Sequence, residues 1–162
     1  MAEAALGLGS NIGDKAANIS AALEGLGATA DIRILRQSSL YRTAPWGDTD
    51  QDWFVNACVL ISTSLTPAGL FSRCLDLERE GGRTRTKDRR WGPRIIDIDL
   101  LFYEDLRLNE AALTLPHPRL LERGFVLVPL AEIAPDRIIN GVRVADAAQA
   151  LETNDVSLWT ET

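Results

Sequence analysis

The chain has 162 residues, 46% of them hydrophobic and 25% charged, the balance of one globular domain with enough apolar side chains for a core. Its 17 Lys and Arg against 23 Asp and Glu give a net charge of -6, which repels the nucleic-acid backbone and excludes a generally basic nucleic-acid binder. No run approaches the roughly 18 apolar residues of a membrane span, and no basic-then-apolar leader opens the chain, so a cytoplasmic single domain over 1–162 is expected, with no membrane partner.

Residues 4–9, Ala-Ala-Leu-Gly-Leu-Gly, predict a short strand that stops at Ser10-Asn11, and Ala16, Ile19, Leu23 and Leu26 then recur at helical spacing. A second strand is expected around 32–41, ended by the Pro-containing loop that starts at Thr43. A third runs from Phe54 to Thr63, with Phe54, Asn56, Cys58 and Leu60 on one face and Val55, Ala57, Val59 and Ile61 on the other. Thr66-Pro67 reads as N-cap and first helical position, and Leu70, Cys74 and Leu77 carry an apolar stripe to Gly81-Gly82, which serve as a helix stop or as a hinge. Cys58 and Cys74 lie within apolar patterns that lack metal-ligand spacing, so buried free thiols are expected rather than a disulfide or a metal site.

Between Arg83 and Arg94 stand six cations (Arg83, Arg85, Lys87, Arg89, Arg90, Arg94) and one acid, Asp88, a pattern that suits a polyanionic ligand or a solvated basic loop. Residues 95–103 form a β-rich run whose apolar density predicts a central strand. Within it Asp97 and Asp99 point to one face, with Cα atoms roughly 6.5 to 7 Å apart, while Ile96, Ile98 and Leu100 point to the other. Like charges that close need a cation. Magnesium held by the two carboxylates, with positions left for phosphate oxygens, meets that need, and so do arginines in a buried ion-pair network. Arg94, three residues before Asp97, suits a polyphosphate gripped by metal on one side and guanidinium on the other, which points to phosphoryl transfer.

The predicted order is β-α-β-β-α-β, an α+β fold with a ferredoxin-like core whose antiparallel sheet is backed by helices. Beyond Leu106 the sequence predicts a short strand, a loop at Leu115-Pro-His-Pro118, a helix near 124–133 and a hairpin turn at Asn140-Gly141, a C-terminal helix and hairpin extension. The last dozen residues are expected to be poorly ordered unless Trp159 pins them. On spacing alone His117, the only histidine, is a turn residue between two prolines, and Phe54 and Phe125 belong to the core.

The run Arg90-Trp-Gly-Pro-Arg-Ile-Ile-Asp-Ile-Asp-Leu-Leu101 resembles the signature of 6-hydroxymethyl-7,8-dihydropterin pyrophosphokinases. Leu8-Gly-Ser-Asn11, Tyr41-Arg-Thr43, Phe54-Val-Asn56, Pro116-His117, Arg123-Gly-Phe125 and Pro129-Leu-Ala-Glu-Ile-Ala-Pro135 extend the resemblance along most of the chain. It implies an enzyme of folate synthesis that moves pyrophosphate from ATP to the pterin hydroxymethyl group and releases AMP. It further implies two Mg²⁺ ions on Asp97 and Asp99, catalytic roles for Arg83 and Arg94, and ATP contacts at Glu78, Arg85, Ile98, Thr114, His117 and Arg123. For the pterin it implies Phe54 and Phe125 on the ring, Thr43, Asn56 and the backbone near Trp46 on its polar edge, and Trp91 as a lid. Three positions depart from the pattern: Leu75 stands where members carry a polar ATP contact, Ala112 where some carry an arginine, and Pro118 where an aromatic follows the histidine. The basic loop is also one residue longer between Arg85 and Trp91.

Small molecules are the expected partners, and the chain is expected to act as a monomer or a weak homodimer. An RNA-recognition domain would share the sheet but not two acids in mid-strand, and it conflicts with the acidic charge. Another two-metal enzyme, such as a nuclease or phosphohydrolase, would share the acids but need no aromatic pocket. A dinucleotide site at Gly7-Leu-Gly9 fails because Ile12 stands where the third glycine belongs.

Overall fold

The computed structural model of the chain describes residues 1–44, 52–81, 95–151 and 155–159. The first strand, β1 (Ala2–Ser10), leads into α1 (Lys15–Gly27), whose N-cap Asp14 accepts the Ala17 N–H at 3.1 Å and whose Ile19, Ala22 and Leu26 are buried. The strand expected at 32–41 is two strands, β2 (Ile32–Gln37) and β3 (Tyr41–Thr43), both antiparallel to β4 (Phe54–Thr63). Gln37 lies opposite Val59 and Tyr41 opposite Asn56, so four steps on one side match three on the other, and the extra residue interrupts the ladder. Ser38 closes the gap: its N–H donates to the Cys58 carbonyl at 2.9 Å, and its hydroxyl accepts the Cys58 N–H at 2.9 Å.

The second helix, α2 (Pro67–Glu80), begins as the sequence predicts, with Thr66 Oγ1 accepting the Gly69 N–H at 3.0 Å, and Gly81 caps its end. After β5 (Asp97–Tyr103), the short strands β6 (Leu108–Asn109) and β7 (Thr114–Leu115) pair with each other, and a 3-10 turn at Leu120–Glu122 leads into α3 (Gly124–Ile133). The strands β8 (Ile138–Ile139) and β9 (Val142–Arg143) make the hairpin expected at Asn140-Gly141, whose φ values of 51° and 80° are the positive pair such a turn demands. Then come α4 (Val144–Ala150) and β10 (Val156–Leu158). Trp159 is anchored: its backbone N–H donates to the Leu40 carbonyl at 2.9 Å and its ring packs on the core, while the rest of the expectation for the last dozen residues falls partly outside the described residues.

The main sheet is antiparallel in every ladder and runs β10-β3-β4-β1-β5, with β2 also on β4. The expectation of a central strand at 95–103 is therefore corrected, because among the described residues β5 pairs with β1 alone and ends the order. Its apolar density has another cause, burial on both faces: Ile98 and Leu100 join one core and Leu101 and Phe102 the other. Helices cover both faces too. Val55, Ala57, Val59 and Ile61 pack with α1 and α2, whereas Cys58 and Leu60 pack with α3 and α4, the alternation read from the sequence. Both cysteines are free and buried, and burial pushes the Cys74 thiol up to about 12. Among the described residues no helix is long and apolar enough to cross a membrane.

Candidate active site

Three adjacent strands build the site. Asn56 of β4 lies opposite Gly9 of β1, and Gly9 opposite Asp97 of β5; one row further on, Cys58, Gly7 and Asp99 line up in the same way. Residues directly opposite one another share a face, so Phe54, Asn56, Asp97 and Asp99 all look toward the side covered by α3. With strands about 4.8 Å apart, the Cα atoms of Asn56 and Asp97 are separated by roughly 10 Å, and only Gly9 lies between them. A Cβ at Gly9 would come to 2.7 Å from Asn56 Oδ1 and 3.6 Å from Phe54 Cδ2, so a side chain there would collide with the amide.

On one flank, Thr43 of β3 is opposite Phe54, and the Asn56 side-chain amide donates to Thr43 Oγ1 at 2.6 Å. Both polar groups are buried, at 6% and 1% exposure, so this bond sets which way the amide points. Phe54 and Phe125, the second residue of α3, are both half-buried, and Phe125 packs against the core on the α3 side. The Arg123 guanidinium sits 5.4 Å from the Phe125 ring centre.

On the other flank, Asp97 and Asp99 are half-buried on one face of β5; both act on the Arg123 guanidinium, and Asp97 also acts on the His117 imidazole. Burial, then the charge of Arg123, lowers the His117 pKa to about 4, while Asp97 opposes the shift. The imidazole is thus neutral at ordinary pH, with Nδ1 accepting the Arg119 N–H at 3.1 Å and the His117 N–H donating to the Leu101 carbonyl at 2.7 Å. Burial also lowers the Arg123 pKa, against the pull of Asp99 and, after Arg119, of Asp97. Glu78, 3% exposed, accepts the Ile98 N–H at 2.8 Å. The Ile98 side chain itself lies in the core beneath α1 and α2, away from the acids' face. Thr114, on β7, lines an open depression of about 330 Å³ together with Pro116, Pro118 and Arg107.

The structure therefore gathers Thr43, Phe54, Asn56, Asp97 and Asp99 on one sheet face and brings His117 and Arg123 into the field of the acids. Trp46, Arg83, Arg85, Trp91 and Arg94 lie outside the described residues. Among the described residues no three or more His, Cys, Asp or Glu gather as a metal cage. The sequence reading missed Gly9 as the floor between amide and acid. The alternation Gly7-x-Gly9 was visible, but what it opposes depends on the register of three strands. It also missed the Arg42 guanidinium stacked 4.2 Å from the Trp53 ring centre, beside Phe54.

An antiparallel sheet with helices on both faces defines an α+β fold, and two acids on one face with a buried amide and cations close by are the kind of site a phosphotransferase uses. The profile of the family described as 7,8-dihydro-6-hydroxymethylpterin-pyrophosphokinase matches residues 5–135. The chain is 56% identical over 156 residues to a 2-amino-4-hydroxy-6-hydroxymethyldihydropteridine pyrophosphokinase of Methylorubrum extorquens, which covers 96% of this chain and 98% of that protein. A Synechocystis protein of the same name is 46% identical over 133 residues, covering 82% of this chain and 67% of that one. Among solved structures, wild-type HPPK-DHPS of Plasmodium falciparum with SDX-DHP superposes with a TM-score of 0.69 at 16% identity. That likeness covers 93% of this chain and 43% of that one, so the chain spans less than half of the Plasmodium protein. The chain belongs to the 7,8-dihydro-6-hydroxymethylpterin-pyrophosphokinase family.

Proposed function

We infer that the chain transfers the pyrophosphoryl group of ATP to the hydroxymethyl oxygen of 6-hydroxymethyl-7,8-dihydropterin, a step of folate biosynthesis. The observation that carries the reading is the row Asn56, Gly9, Asp97, which places a donor-acceptor amide and a carboxylate on one face, their Cα atoms roughly 10 Å apart, with only a glycine between them. A flat heterocycle lying over Gly9 has its polar edge at Asn56 and Thr43 and its hydroxymethyl arm at the acids. Phe54 and Phe125 supply apolar area to the ring faces, and the family resemblance adds the backbone near Trp46 at the polar edge and Trp91 as a cover.

In the reaction the hydroxymethyl oxygen attacks the β-phosphorus, an O–P bond forms, the bond from that phosphorus to the bridging oxygen breaks, and AMP leaves with that oxygen. The hydroxyl proton passes to solvent. Asp97 and Asp99, two half-buried carboxylates on one face, suit Mg²⁺ by their donor chemistry and would hold it. Two such ions, when bound, offset phosphate charge and make the attacking oxygen more nucleophilic. Arg83 and Arg94 neutralise charge that grows on the transferring group, and Arg85, Arg123 and Thr114 orient the triphosphate and nucleoside. His117, neutral, offers its remaining ring nitrogen to ATP as a hydrogen-bonding group that carries no charge. Glu78 holds the Ile98 backbone and so fixes the strand segment between the two acids.

The order β1-α1-β2/β3-β4-α2-β5 and the strand sequence from β3 to β5 support a ferredoxin-like core within a single domain, 1–162. The reading also takes the chain to work in the cytoplasm, as a monomer or a weak homodimer. Mixing the purified protein with the pterin, ATP and Mg²⁺ should yield AMP and the pterin diphosphate in equal amounts. ADP as product, or fast ATP hydrolysis without pterin, would point instead to a different two-metal enzyme.

A further inference from the structure

We propose that Glu132, near the end of α3, is a positioning residue that fixes the pterin-reading pair Thr43 and Asn56 by holding β3 to α3. The proposal rests on the pocket assignment above. A three-residue strand is a weak platform for a polar recognition group, and among the described residues β3 has only Tyr41, Arg42 and Thr43 in its ladder with β4. The Glu132 carboxylate supplies what is lacking. One oxygen accepts the Tyr41 hydroxyl at 2.6 Å, and the two oxygens accept the Ser39 N–H at 3.1 and 3.0 Å. The Ser39 hydroxyl adds a further bond at 3.0 Å. Hydrogen bonds to an ionised acceptor are the stronger kind.

The geometry connects this clamp to the pocket. Tyr41 is directly opposite Asn56, and two residues on, Thr43 accepts the Asn56 amide proton at 2.6 Å. At the other end of the same helix stands Phe125, seven residues before Glu132 and about 10 Å away along the helix axis. A rigid helix thus joins the ring-contacting wall of the pocket to the edge-reading wall. Buried Val126, Leu127, Leu130 and Ile133 hold α3 to the sheet, and the Cys58 thiol donates to the Val126 carbonyl at 3.6 Å. Burial and the Glu132 bond push the Tyr41 phenol up to about 12, so it remains a donor throughout the working range of pH. From the far side, β10 pairs with residues 41–43, so β3 is held on both flanks.

The test is the kinetics of Glu132→Ala and Tyr41→Phe, with equilibrium binding of the pterin alongside. Glu132→Ala should raise the pterin KM and Kd about tenfold, with the ATP KM and kcat changed less than about twofold. Tyr41→Phe, which deletes a single oxygen and leaves the ring packing, should raise the pterin KM about threefold and add less in the Glu132→Ala background than alone. Glu132→Gln, which keeps one acceptor oxygen, should recover part of the loss. An unchanged pterin KM, or equal increases for pterin and ATP, would overturn the proposal, and Tyr41→Phe alone decides it if Glu132→Ala does not fold. Asn56→Ala separates the two ideas. If it leaves the pterin KM unchanged the pocket assignment fails and takes this one with it; if it raises KM while Glu132→Ala does not, only the role of Glu132 is refuted.

Discussion

The two faces of the sheet are made from alternate residues of the same strands, yet one is sealed and the other works. Toward α1 and α2, β4 presents Val55, Ala57, Val59 and Ile61, none more than 3% exposed, in a continuous apolar core. Toward α3 it presents Phe54, Asn56, Cys58 and Leu60, so that apolar packing gives way within three residues to a buried amide and then a half-buried ring. Burying Asn56 and Thr43 and crowding two carboxylates is unfavourable locally. The sealed face supplies the stability that lets the open one carry such groups, so damage to either face should show in a different observable.

The largest effect is expected at the acids. Asp97→Ala should lower turnover by about a thousandfold or more, comparable with removing a key charge-stabilising group, while the circular dichroism spectrum and melting transition are kept. Turnover within tenfold of the parent would break the division between faces. Leu70→Ala is the converse, a fully buried side chain on the sealed face. It should cost about 3 kcal/mol in a urea titration and leave the pterin KM untouched. A shift in KM without loss of stability would contradict the division from the other side.

Gly9→Ala sharpens the comparison on the floor itself. Its methyl would meet Asn56 Oδ1 at 2.7 Å, so the pterin KM should rise about tenfold with a much smaller change in the ATP KM. The smallest effect concerns His117, whose folded pKa of about 4 lies below its ordinary value of 6.5. Between pH 6.5 and 4 the unfolded chain takes up a proton at this position that the folded chain refuses. The histidine's contribution to stability therefore falls as pH falls through that window and is constant on either side of it. An NMR titration should give a midpoint near 4, and Asp97→Asn should move it lower by removing the one charge that favours protonation. A midpoint near 6.5 would mean that the ring is not buried among cations.

What the sequence disclosed and what it hid follow from how far apart the interacting residues lie. The alternation of Phe54 to Thr63 and the cap at Thr66-Pro67 are local and were legible, as was the hairpin at Asn140-Gly141. The split of 32–41 was not, because the break depends on Ser38 meeting Cys58 and Ser39 meeting Glu132. The place of β5 at the end of the described strand order was hidden for a related reason: apolar density reports burial of the two faces, not the number of neighbouring strands. At the site, the shared face of Asp97 and Asp99 could be read from spacing alone. Their alignment with Gly9 and Asn56 could not, since it is a matter of register among segments up to about ninety residues apart. Spacing alone put Phe54 and Phe125 in the core, whereas both are half-buried.

A crystal structure of the protein with Mg²⁺, a non-hydrolysable ATP analogue and the pterin tests the central claim most directly. It should show metal on both Asp97 and Asp99, and the pterin lying over Gly9 with its amide edge on Asn56 and its hydroxymethyl group toward the phosphates. Acids locked onto arginines with no metal between them, or a pterin bound elsewhere with the floor at Gly9 empty, would contradict it.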